Sequence, residues 1–121
     1  MLYIAGIAIL ALNAVGSKEV PVDYAKPDQL FKLIQTQSEP YLIIDIRYPV
    51  KYNKGHIPTA VNIPLSDLCG NPPAVDEDMV IIVCSTHPEN SREAVNLLKD
   101  LGYTRVFNFC EILKWSYELE Y

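Results

Sequence analysis

The sequence predicts an α/β fold, with a central parallel sheet of about five strands and helices on both faces. Three observations predict it. Short apolar runs rich in Ile and Val are bounded by Pro, Gly or polar residues, as in strands buried on both sides. Between them lie stretches whose apolar residues recur at helical spacing. The chain has 121 residues, enough for one domain around one core. Strands alternating with helices give a parallel sheet between two helical layers.

In chain order, a short extended piece is expected around Val20–Val22. Pro27 and Asp28 open a helix that carries Leu30, Leu33 and Ile34 on one face. Tyr41–Ile46, held between Pro40 and Pro49, reads as a buried strand. A helical turn through Val50–Asn53 closes at Gly55, and Ala60–Ile63 is a small strand stopped by Pro64. The segment from Cys69 to Asp78 contains Gly70, Pro72 and Pro73 and is a loop. Met79–Val83 is a second buried strand that leads directly into Cys84. A helix is expected from Ser91, with Ala94, Leu97, Leu98 and Leu101 at helical spacing and Gly102 as its C-cap. Arg105–Phe109 is the last strand, and Ile112, Trp115 and Leu119 share one face of an expected final helix.

Met1–Gly16 carries no charge, so all 25 Asp, Glu, Lys and Arg lie after it. The stretch is shorter than the roughly 20 residues of a membrane-spanning helix. It reads as the apolar region of a secretory signal, with Ala14 and Gly16 placed for cleavage before Ser17. The expected organisation is therefore a leader at 1–16 and a domain at 17–121. Export to a periplasmic or other extracytoplasmic site follows, with a retained membrane anchor as the alternative. The usual basic residue at the start of a signal is missing. A net charge of −5 without any basic cluster excludes the footprint that a nucleic-acid backbone requires. The expected form is a monomer. Cys69, Cys84 and Cys110 are far apart and form no metal-binding spacing.

In parallel sheets ligands bind beyond the carboxyl ends of the strands. That edge should gather Asp45, Arg47, Cys84 and Cys110. A cysteine after Val-Ile-Ile-Val is often just a small buried hydrophobe. Here it precedes Ser85, Thr86, His87, Pro88, Glu89, Asn90 and Ser91, all polar or turn-forming. A loop of that kind running into a helix N-terminus would aim N–H groups at the sulfur. Those donors would favour thiolate over thiol and could hold a persulfide or an oxyanion. His87, inside the loop, is the acid–base candidate. Asp45 and Arg47 read first as a structural ion pair at the strand end, and His56 as the anchor of a turn.

Leu42-Ile-Ile-Asp-Ile-Arg47, Tyr52 and Gly55-His-Ile-Pro-Thr-Ala-Val-Asn-Ile-Pro64 closely resemble the rhodanese pattern of a strand ending in D-V-R, then G-H-I-P-G-A-x-N-I-P. Val80–Cys84 resembles that family's strand into its active cysteine. Leu97–Tyr103, Val106 and Trp115 resemble the elements that follow. The resemblance runs from about Asp28 to Trp115. It implies a single-domain sulfurtransferase in which Cys84 accepts sulfane sulfur as a persulfide and passes it to a nucleophile. The donor would be thiosulfate or a persulfide, and the acceptor a thiol or a protein, with no cofactor or metal required.

The departures from that pattern are specific. The family loop commonly reads C-x-x-G-x-R-S, whereas this one has His87 at the glycine and no arginine within the loop. Cys84 lies eighteen residues before Gly102, one more than usual, a length similar to that in related cell-cycle phosphatases and arsenate reductases. Those enzymes need an arginine six residues after the cysteine. Asn90 stands there and the first arginine is Arg92, so the charge pattern argues against phosphatase or arsenate reductase activity. Glu89 adds a negative charge and Pro88 removes an N–H, so thiosulfate is expected to be a poor donor. Cys110 occupies the family's Gly-Gly turn, either as a space-filling residue or as a second thiol able to form a disulfide with Cys84. A non-catalytic module that binds a partner is the alternative to the enzyme.

Overall fold

The computed structural model describes residues 21–121. The leader expected over 1–16 lies outside the described residues. Helix α1 (Pro27–Thr36) begins with proline, whose missing N–H falls where a helix has no internal acceptor for it. It buries Leu30, Leu33 and Ile34, the residues whose spacing predicted it. There follow β1 (Tyr41–Asp45), α2 (Pro49–Asn53), β2 (Val61–Asn62), α3 (Leu65–Leu68), β3 (Val80–Ser85), α4 (Pro88–Asp100) and β4 (Arg105–Glu111). A 3-10 turn at Ile112–Lys114 comes last.

The strands pair in the order β2-β1-β3-β4, and every pairing is parallel. The sheet has four strands among the described residues. The fifth was expected around Val20–Val22, and Pro21 and Val22 run without strand pairing.

Side chains alternate across a strand, and that alternation divides the core in two. Ile43, Val80, Ile82, Cys84 and Phe109 face α1 and Trp115. Ile44, Ile81 and Val83 face α3 and α4, packing on Leu68, Ala94, Val95 and Leu98. Helices thus cover both faces, as the continuous apolar runs required. At the end of α4 the backbone turns through Gly102 at φ +107°, where a Cβ would stand 2.8 Å from the Glu77 carboxylate.

Three differences from the sequence expectation concern helices, while β3 and β4 each run two residues further than expected, to Ser85 and Glu111. α4 starts at Pro88, not Ser91, because proline suits a first helical position and Glu89 complements the helix N-terminus. α3 was not anticipated, although Asp67 in its first turn after Pro64 is an initiation signal. The expected final helix is absent beyond the 3-10 turn. Instead the backbones of His56 and Glu120 exchange hydrogen bonds of 2.9 and 2.8 Å in an antiparallel bridge. Trp115 already has extended backbone, and no helix forms between it and that bridge.

Leu30 is fully buried between α1 and the sheet. Leu30→Ala should lower unfolding free energy by about 3 kcal/mol in urea titrations, with the m-value unchanged. A loss under about 1 kcal/mol would show that this layer repacks freely.

Candidate active site

Sheet register brings the expected edge residues together: Asp45 is paired with Cys84, and Cys84 with Cys110. Two residues past β1, Arg47 turns back on Asp45. Its Nε donates to Oδ1 at 3.0 Å and its Nη2 to Oδ2 at 2.7 Å. The same Nη2 donates to the Gly55 carbonyl at 2.8 Å. Asp45 is fully buried and the Arg47 side chain is 10% exposed. Asn62 ties the corner further by donating to the carbonyls of Asp45 and Arg47. This is a strand-end clamp, the structural reading of the pair. His56 is equally fixed: its ring stacks on Tyr52 at 3.7 Å, and Nδ1 lies 2.9 Å from the Tyr52 carbonyl oxygen.

Cys84 is fully buried. Because β3 runs on through Ser85, alternation turns the Cys84 side chain toward α1 and Trp115. Ser85 instead lines a cleft on the opposite face. The segment expected to wrap the sulfur consists of one strand residue, a turn at Thr86 and His87, and the first turn of α4. Three of its N–H groups bond locally. The His87 N–H donates to Ser85 Oγ at 3.4 Å, and the Asn90 and Ser91 N–H groups donate to the His87 carbonyl. Ser91 Oγ donates to the Pro88 carbonyl at 2.9 Å.

Among the described residues no hydrogen bond from this segment reaches the Cys84 sulfur, unlike the expected cradle. Burial pushes the Cys84 thiol far above the ordinary range, and the Asp45 carboxylate adds to this while Arg47 opposes it.

The cleft measures about 1080 Å³ and spans the carboxyl ends of the strands from α2 across to α4. Its basic side chains are Arg47, Lys51 and Arg92, set against Glu89, Glu93 and Asp100. Arg47 is already neutralised by Asp45, so the balance is acidic. His87 and Glu89 stand at its edge, 64% and 66% exposed, with Nδ1 and Oε1 4.0 Å apart. Cys69, which the sequence left without a role, is exposed and lines the cleft, because α3 carries it to the mouth. A smaller cavity of about 280 Å³ lies on the other side of Arg47 and is bounded by Lys54, Gly55 and Trp115. Among the described residues no group of His, Cys, Asp and Glu is arranged to hold a metal, and no helix is long and apolar enough to cross a membrane.

A four-stranded parallel sheet with a cysteine next to the last residue of one of its two inner strands defines an α/β domain built around a thiol at the carboxyl edge. The family model for the rhodanese-like domain matches residues 26–115. The chain belongs to the rhodanese-like domain family.

Among solved structures, the Alr3790 protein from Anabaena sp. is similar at 25% identity with a TM-score of 0.73, over 78% of this chain and 80% of that one. The HTH-type transcriptional regulator Rv0324 of Mycobacterium tuberculosis is 26% identical over 102 residues, 83% of this chain and 43% of that protein. The adenylyltransferase and sulfurtransferase MOCS3 of Drosophila persimilis is 33% identical over 55 residues, 42% of this chain and 12% of its own length. M-phase inducer phosphatase 2 of Homo sapiens is 36% identical over 58 residues, 45% of this chain and 10% of its own. The chain thus spans less than half the length of these curated relatives.

Two outcomes follow from the buried thiol. In the native protein Cys69 should react with iodoacetamide well before Cys84, as read by peptide mass mapping. Faster alkylation of Cys84 would contradict the burial. The folded chain also retains the Cys84 proton where the unfolded chain loses it, so stability should fall as pH rises above about 8.5. Tyr24, raised to about 12 by burial and its hydrogen bond to Glu39, joins only above about pH 10. Cys84→Ala should flatten the slope between those limits in denaturant titrations, and an unchanged slope would refute the assignment.

Proposed function

We propose that this chain is a rhodanese-type sulfurtransferase that accepts sulfane sulfur on Cys84 and passes it to a thiol or protein acceptor. The observation that carries this reading is the position of Cys84, near the carboxyl end of an inner strand and directly before Ser85, which lines a large cleft at that edge. Transfer requires the strand end to open and expose the sulfur, since only the thiolate is nucleophilic and burial pushes the Cys84 thiol upward. The acidic balance of the cleft disfavours a small dianion. An organic persulfide, which brings its own polar contacts, fits the cleft better than thiosulfate does. The absence of an arginine at Asn90 disfavours phosphate or arsenate chemistry despite the partial likeness to a phosphatase. The reading retains an exported, monomeric domain at 17–121 behind the leader at 1–16.

A second reading rests on the buried thiol itself: a rhodanese-fold module that binds a partner through the cleft and performs no transfer. The likeness to a transcriptional regulator, 43% of whose length this chain covers, supports that alternative.

Thiocyanate formation from glutathione persulfide and cyanide, assayed with excess glutathione, separates the two. The wild type should exceed the uncatalysed rate while Cys84→Ser matches it, and thiosulfate should be at least about tenfold less efficient, a difference of about 1.4 kcal/mol. Equal rates for the wild type and Cys84→Ser would leave the binding module as the function. Comparable efficiency with thiosulfate would refute the charge argument.

A further inference from the structure

Cys110 has the most unusual backbone position at the sheet edge. It lies within β4, at φ +76°, in the left-handed region where a side chain other than glycine is strained. The cause is an irregularity in the β3–β4 ladder. Val83 pairs with Asn108, but Cys84 pairs with Cys110, so Phe109 is the extra residue of a bulge. In regular register Cys84 would face Phe109. The bulge slides the second thiol into that place and adds the strain.

Neighbouring strands lie about 4.8 Å apart, within the roughly 4.4–6.8 Å separation of Cα atoms that a disulfide bridges. Cys84 is fully buried and Cys110 only partly, so Cys110 is the member of the pair nearer solvent.

We infer that Cys110 is a resolving thiol for Cys84: its sulfur attacks the persulfide formed there and closes a Cys84–Cys110 disulfide. This rests on the sulfur-accepting role proposed for Cys84. In the step, the Cys110 thiolate attacks Sγ of Cys84, and the Sγ84–Sγ110 bond forms as the bond from Sγ84 to the outer sulfur breaks. The electron pair leaves with that sulfur, which departs as hydrosulfide and takes up the proton given up by Cys110. Two cysteine sulfurs end as a disulfide and the sulfane sulfur ends reduced to sulfide, with no outside oxidant. The domain would then release sulfide and lock itself closed whenever acceptor thiols are scarce. An excess of thiol reopens it.

The test compares wild type, Cys110→Gly and Cys84→Ser after exposure to glutathione persulfide and removal of small thiols. Intact mass, non-reducing peptide mapping and released sulfide are read together. Glycine suits the φ at position 110, so this variant relieves the backbone instead of straining it. The wild type is expected to yield a linked Cys84–Cys110 peptide and about one sulfide per chain above the Cys84→Ser background. Cys110→Gly is expected to keep one extra sulfur on Cys84 and release none. If the wild type also keeps its sulfur and forms no linked peptide, the resolving role is wrong and the sulfur-accepting role stands. If Cys110→Gly takes up no sulfur and the wild type forms no linked peptide, both fall.

Discussion

The strict two-residue alternation of side chains along β3 is the constraint on which the rest of this site depends. Val80, Ile82 and Cys84 point to one face, and Ile81, Val83 and Ser85 to the other. The apolar members must be buried, since two helical layers press on the sheet and each buried aliphatic side chain is worth about 1.5–3 kcal/mol. The register of β3 is therefore fixed by its hydrophobic residues. Cys84 and Ser85 take whatever direction follows. The sulfur goes into the layer with Trp115, and the hydroxyl goes to the cleft.

Charge at this edge follows from the same packing. Asp45 is paired with Cys84 in the β1–β3 register and cannot reach solvent, so it takes Arg47 as a two-pronged partner. A buried carboxylate without such a partner would be several kcal/mol less favourable. Once made, the pair removes a free cation from the ligand-facing side, and beside the thiol the Asp45 carboxylate outweighs Arg47. The clamp that secures the strand end thus adds to the upward push that burial gives the Cys84 thiol.

Most of the fold was legible in the residues. Leu30, Leu33 and Ile34 announced α1, the apolar runs at 41–46 and 79–83 announced the inner strands, and Gly102 marked the end of α4. The meeting of Asp45, Cys84 and Cys110 followed from topology alone, because parallel strands end on one edge. What misled was the polar run after Cys84. Pro88 was read as a missing donor in a loop, when proline is equally the natural first residue of a helix. Trp115 and Leu119 suggested a helix by spacing, but the pairing of His56 with Glu120 decided otherwise, and contacts between residues so far apart leave no periodic trace.

The sequence by itself determined the family, the alternation of strands and helices, and the identity of the cysteine at the strand end. These are local properties, carried by hydrophobic periodicity, turn residues and short motifs. Only the tertiary structure decided that Cys84 faces the core, that Cys69 reaches the cleft, and that a bulge sets Cys110 opposite Cys84. The physical reason is that burial and register depend on how elements pack across the sheet. A shift of one residue in a ladder reverses which face a side chain occupies, and composition at that residue does not change.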